Sequence, residues 1–331
     1  MSKEIKEGAV VRHAHVEGAL VLARLRGVEA FRERGEVKAL LGLTLNATVC
    51  CLSARRKISE PIRKMREHAA TVVDGADMNW RLSGVLSDVV DLVADIHANT
   101  LTLEEKTARC ARLDSCLEAI SHEATSTWSY ESVIVPAEHR AGSLPSDSPS
   151  LYNIYPSRAV MHTWNVLRLL RILLREELIS HFPTSTHSTL LLQPPPSITP
   201  TIRQICASVP QMIACSSAAS HKLPPGSPCQ HPHSPSSGLL HTIPHLLDAY
   251  ILIFPLYVAG WSRYCSPPTR VWILDQLEYI GTHFGLMAAN VVREVLLRDT
   301  GSGGVESWVA RRKQFDFVLS RHIADFYGLG L

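Results

Sequence analysis

Three groups of side chains in this sequence have types and spacings that could do chemistry. The first is Cys229, His231 and His233, with His221, His241 and His245 nearby. A thiol and imidazoles at i, i+2 and i+4 are ligands that zinc accepts. A structural zinc site needs a rigid frame, however, and residues 220–238 hold five prolines among serines and no apolar period. The expectation is a disordered insertion at about 220–238 and no bound metal, with the Cys229, His231, His233 site as the alternative. His13 and His15 form a second, isolated pair, read the same way. The second group is Asn165, Arg168, Arg171 and Arg175, a narrow polar stripe on a helix that is otherwise apolar on most sides. A buried guanidinium must be paired with a carboxylate or carbonyl. The stripe is therefore either a structural network held by acidic partners or the contact for a partner or anionic effector. The third is Arg55, Arg56, Lys57, Arg63, Lys64 and Arg66, six basic residues in twelve positions. Such a cluster suits nuclear import or phosphate contact, or it is a solvated helix end before Pro61.

Chemistry of the enzymatic kind finds no motif. There is no Gly-x-Ser-x-Gly elbow, no phosphate-cradling glycine loop and no His-Glu-x-x-His helix, since His122-Glu123 lacks the second histidine. The carboxylate pairs Glu104/Glu105 and Glu176/Glu177 read as solvated helix surface. The chain is expected to be no enzyme and to carry no cofactor. With 33 basic and 31 acidic residues its net charge is +2, which excludes a protein that coats nucleic acid through charge alone. The N-terminus alternates Lys and Glu and so reads neither as a secretory signal nor as a transit peptide. The eight cysteines then read as reduced thiols of an intracellular protein. No segment reaches the roughly 18–20 apolar residues of a membrane span; the nearest, Ala249 to Trp261, is interrupted by Pro255.

The elements that must position these residues are helices. Val16, Leu20, Ala23 and Val28 share one face; Val37 to Leu45 lead a second run ending near Cys51. Leu82, Val85, Val89, Leu92, Val93 and Ile96 recur at steps of three and four. Thr102 stands three residues before Glu105, a capping box opening the stripe Leu113, Leu117, Ile120, Ala124. Residues 136–156, with four prolines, read as the linker between an N-terminal half (1–135) and a C-terminal half (157–331). A central helix is expected from Ser157 to Ser180, then one from Thr201 to Ala219, and one from Pro244 to Trp261. Thr269 is the expected cap of an amphipathic helix through Ile273, Leu277, Ile280, Phe284, Met287, Val291 and Val295. Ser307 to Tyr327 read as the last helix. No pair of alternating runs flanks a hairpin turn. The fold class is all-α, a multi-helix array with long Pro/Ser-rich loops.

Read in order, four pieces of the chain together resemble the regulatory, middle-homology region of fungal-specific transcription factors of the binuclear zinc-cluster class. They are His15-Val16-Glu17-Gly18-Ala19 with Leu25-Arg26-Gly27; Tyr152 to Leu178, with Trp164-Asn165, Arg168 and Arg171-Ile172-Leu173-Leu174; Gln204 to Gln211; and Phe254 to Gly260 with Arg270-Val271-Trp272 and Leu277 to Gly281. The resemblance implies a nuclear regulator of a metabolic or secondary-metabolite gene set. It would act on the transcription machinery or another regulator, or as a homodimer, with Asn165, Arg168, Arg171 and Arg175 as contact candidates. That family's DNA-reading module uses Cys-x-x-Cys pairs, and none of the eight cysteines here forms one. Fourteen residues before His15 are too few for that module, so the expectation is a regulatory domain without its reader and without sequence-specific DNA binding. The alternatives are a helical interaction or scaffold protein and, behind it, an enzyme. Physically, Gly18, Gly260, Gly281 and Gly285 read as close helix approaches, Trp164, Trp272 and Trp308 as core anchors, and Pro210 and Pro255 as helix breaks.

Overall fold

The computed structural model describes residues 3–134, 151–180, 198–213 and 242–298. These divide into two compact units, residues 3–124 and residues 125–298. Both are built of helices, and the class is all-α. The division falls after Ala124, ahead of the linker read at 136–156, and Leu151–Ile154 inside that stretch is a strand. The 220–238 insertion, the helix read at Ser307–Tyr327 and Trp308 lie outside the described residues.

The first unit consists of α1 (Lys3–Arg26), α2 (Arg34–Ser53), α3 (Glu60–Ala69), α4 (Met78–His97) and α5 (Leu103–His122). The starts of α4 and α5 have a local chemical cause. Asp77 accepts a hydrogen bond from the Trp80 N–H (3.0 Å) at the head of α4. At α5 the Thr102 hydroxyl accepts from the Glu105 N–H (3.2 Å), while the Glu105 carboxylate accepts from the Thr102 N–H (2.8 Å). This is the capping box that the spacing predicts. Helix α2 packs on α1, α3 and α4, and α4 packs on α5. The α4 side chains Leu82, Val85, Leu86, Val89, Val90 and Leu92 and the α5 side chains Leu113, Leu117 and Ile120 are buried.

The second unit opens with β1 (Glu131–Ile134) and β2 (Leu151–Ile154), an antiparallel pair with Glu131 opposite Ile154. It continues through α6 (Arg158–Ser180), α7 (Ile198–Ala207), α8 (Val209–Ile213), α9 (Ile243–Tyr250), α10 (Ile253–Trp261), α11 (Pro267–His283) and α12 (Met287–Arg298). Three helices that the periodicity runs together are broken here, each at a residue that cannot continue. Pro210 has no N–H for the Cys206 carbonyl, so α7 stops and α8 restarts around Ser208. Pro255 likewise leaves the Ile251 carbonyl without its partner, separating α9 from α10. Gly285, at φ +70, turns the chain between α11 and α12. The cap of α11 is Ser266, which accepts from the Thr269 N–H (3.3 Å); Pro267 and Pro268 form the first turn, where a missing N–H costs nothing.

All nine residues of α10 are buried, and α6, α7, α11 and α12 surround it. Two stretches, Gly35–Leu52 and Ile243–Trp261, do have the length and hydropathy of a membrane span (1.3 and 1.5), contrary to the sequence expectation. The second is the broken pair α9 and α10, with 61% of its window buried inside the unit. Close approach explains two glycines. A Cβ at Gly260 would lie 3.1 Å from Leu296, and one at Gly281 only 1.9 Å from Asn290 Oδ1. Gly18, by contrast, faces open space.

The Gly281 contact makes a prediction. A helix interior ordinarily gains about 1 kcal/mol from Gly→Ala, but crowding against Asn290 should reverse the sign and cost about 1–3 kcal/mol. Urea denaturation of Gly281→Ala should show this loss, and in an Asn290→Ala background the same change should become stabilising. A Gly281→Ala protein at least as stable as wild type would mean that the Asn290 side chain turns aside at little cost.

Candidate functional site

Helix α6 places the polar stripe. Its buried positions include Met161, Val166, Leu167, Leu169, Leu170, Ile172 and Leu174, and within that apolar surround sit Asn165, fully buried, and Arg168, 4% exposed. Arg171 and Arg175 reach the surface in part. The stripe is thus divided: its N-terminal pair is inside the unit and its C-terminal pair lies at the margin.

Around Arg168 a polar network joins α6 to β2, α7 and α8. Arg168 Nη1 donates to Tyr155 Oη (2.7 Å) and to Asn165 Oδ1 (3.0 Å). Asn165 Nδ2 donates to Ser208 Oγ (2.9 Å), whose hydroxyl in turn donates to the Ile205 carbonyl (2.7 Å). Tyr155 Oη also accepts from Asn153 Nδ2 (3.1 Å), which donates to Gln204 Oε1 as well (2.8 Å). The Gln211 side chain pairs with the Tyr155 backbone like a further strand, accepting its N–H at 2.8 Å and donating to its carbonyl at 2.9 Å. Three rings stand around the guanidinium: Tyr130 at 5.2 Å, Trp164 at 5.6 Å and Tyr155 at 5.9 Å from the ring centres. Burial raises the Tyr155 phenol above its ordinary value and outweighs the opposing pull of Arg168, so the phenol is neutral.

The acidic partner expected for Arg168 is missing among the described residues. Its Nη2 is buried and has no hydrogen-bond partner. Arg168 is held by a phenol, an amide and aromatic faces instead. Trp164 is only partly buried and donates from Nε1 to the Trp128 carbonyl (2.7 Å), so it is an edge of this network rather than a core anchor. Tyr130, Asn153, Tyr155, Gln204, Ser208 and Gln211 escaped the sequence reading as site residues. The available signal was the polar spacing Gln204, Ser208, Gln211 on a short apolar segment.

The carboxylate pairs behave differently from one another. Glu104 is exposed and Glu105 serves the capping box. Glu176 is not solvated surface: its side chain is 1% exposed. It accepts from the Ser262 hydroxyl (2.6 Å), the Arg263 N–H (3.1 Å) and Arg263 Nε (2.8 Å) at the end of α10.

The basic cluster of the first unit is largely occupied by α4. Lys57 Nζ lies 2.7 Å from Asp95 Oδ1, and Arg109 Nη1 lies 2.7 Å from Asp95 Oδ2. Arg63 pairs with Asp91. Arg66 stacks on Trp80 at 3.8 Å and donates to Ser83 Oγ and the Trp80 carbonyl. Burial alone would raise the Asp95 carboxyl, but Lys57 and Arg109 more than reverse it and hold the group below its usual range. Arg56 and Lys64 make only long, exposed ion pairs.

Cys229, His231, His233, His221 and His241 lie outside the described residues. His15 is exposed, and His245 sits on α9 with its ring against Phe284. No group of three or more metal-ligating side chains gathers among the described residues. Burial raises the Cys206 and Cys265 thiols, the latter to about 12, so neither is a thiolate nucleophile. Compared with protein-family models, with curated proteins and with solved structures, the chain matches none.

His162, on α6 beside Met161, carries a pH prediction. Burial lowers its pKa from 6.5 to about 4, so the ring is neutral in the fold and more readily protonated in the unfolded chain. Its contribution is complete above about pH 6.5 and is lost as pH falls toward 4, at up to ~1.4 kcal/mol per unit. Between pH 7 and pH 5, urea unfolding of wild type should lose about 2 kcal/mol more than that of His162→Gln. Equal losses in the two proteins would remove His162 as the cause.

Proposed function

We propose that this chain is a helical regulatory domain of the kind found in fungal-specific zinc-cluster transcription factors, acting in the nucleus through protein or effector contacts and without sequence-specific DNA binding of its own. The observation that carries the reading is the Arg168 network. Two pieces of the resemblance, Tyr152 to Leu178 and Gln204 to Gln211, meet in it through Asn153, Tyr155, Asn165, Arg168, Ser208 and Gln211. A third closes alongside, where Arg270 donates to the Gly260 carbonyl (2.8 Å) and the Leu296 carbonyl (2.9 Å). The first two of these pieces thus share one hydrogen-bonded interior, Tyr155 and Gln211 being 56 residues apart in sequence, and the Arg270 bonds form a separate set. No Cys-x-x-Cys pair is present among the eight cysteines, and the net charge of +2 supplies little phosphate attraction.

A second reading, an interaction protein with no transcriptional role, draws on Leu22 and Leu25 of α1, 68% and 79% exposed. The two are separated by output. A fusion of the chain to a heterologous DNA-binding module should change expression of a reporter relative to the module alone. Arg168→Met supplies the sharper expectation. Replacing an uncompensated buried cation by an apolar side chain of similar length is often neutral or stabilising, so the thermal midpoint should hold or rise while reporter output is lost. No effect of the wild-type fusion, with the protein folded, would sink the regulatory reading. A fall in stability on Arg168→Met would make the arginine a structural strut instead.

A further inference from the structure

Three charged residues are buried among those described, Asp95, Arg168 and Glu176. Both anions are compensated: Asp95 by Lys57 and Arg109, Glu176 by Arg263, Ser262 and a backbone N–H. The cation is not. Desolvating a guanidinium without a counter-charge is costly, and hydrogen bonds to neutral oxygens together with ring faces recover only part of that cost. The missing charge has a definite place, because Nη1 is fully engaged by Tyr155 and Asn165 and Nη2 is buried with no partner. It is also close to solvent: two of the three rings around the guanidinium, Tyr130 and Trp164, are partly exposed.

We propose that Arg168 Nη2 is the receptor for a small monocarboxylate with a flat, apolar body. This deepens, and rests on, the effector reading of the same helix. The charge of the ligand follows from the site. Arg168 is the one buried cation among the described residues, so a single negative charge balances it, whereas a phosphate dianion would bury a surplus charge. The shape follows from the neighbours. Tyr130 and Trp164 meet edge to face with ring centres 5.2 Å apart and Tyr155 lies against Tyr130 at 4.9 Å, an aromatic cluster whose partly exposed outer rings a further planar ring can join. Asn153 is taken up by Ser132, Tyr155 and Gln204, so it presents no second anchor for a polar tail.

Benzoate is the simplest probe with these properties, and benzamide is its neutral counterpart. On the full chain, saturating benzoate should raise the thermal midpoint by about 3 °C or more, while benzamide and inorganic phosphate should leave it within the error of the scan. Arg168→Met should abolish the benzoate response. Because that variant could lose the response merely by altering the fold, the wild-type difference between benzoate and benzamide decides independently. No benzoate response, or an equal one to benzamide, overturns the proposal, and so does a response that survives in Arg168→Met. A fusion that drives the reporter while benzoate has no effect removes this inference and leaves the regulatory reading in place.

Discussion

Helix α6 carries a buried charge of each sign two turns apart, and the second unit is arranged around the demands of those two groups. Glu176, near the C-terminal end, would be intolerable without a cation and donors. It receives them from the residues where α10 ends, Ser262 and Arg263. That fixes the end of the most buried helix in the unit against α6. At the other position, Arg168 draws in Tyr155 and Asn165, and through them β2, α7 and α8. Among the described residues the anionic end has its counter-charge and the cationic end does not.

The first unit solves the same problem with carboxylates on α4. Asp91 accepts the Ile58 N–H (2.8 Å) and pairs with Arg63, and Asp95 gathers Lys57, Arg109 and the Thr100 hydroxyl. The charge run between Arg55 and Arg66 is therefore mostly an internal strap holding the α2–α3 connection to α4. Exposed pairs at its margin, such as Arg56 with Glu17, contribute little by comparison.

Much of this was legible beforehand. Apolar spacing set the helical class, the capping box located α5, and the apolar surround of Arg168 announced that it would be buried. The identity of its partners was not legible, because a phenol thirteen residues upstream and an amide one turn away leave no charge pattern to read. Glu176 was misjudged for a different reason. Next to Glu177 it has the look of a surface pair, yet it stands four residues after Ile172 and seven after Leu169, both buried, and so shares their face. The break at Gly285 was invisible to periodicity, since Phe284, Met287 and Val291 keep a helical spacing across a left-handed residue. Pro210 and Pro255 were recognised as breaks, but each interrupts the chain a few residues upstream, at the carbonyl it fails to satisfy.

The complete burial of α10 has a consequence on the time axis. With all nine residues enclosed and neighbours on every side, there is no partial opening of the second unit that exposes this helix while sparing the rest. Its amides would trade protons for deuterons only through cooperative unfolding of the whole unit. They form an internal clock whose rate reports global stability, against which the shallower amides of α9 and the β1–β2 pair can be timed.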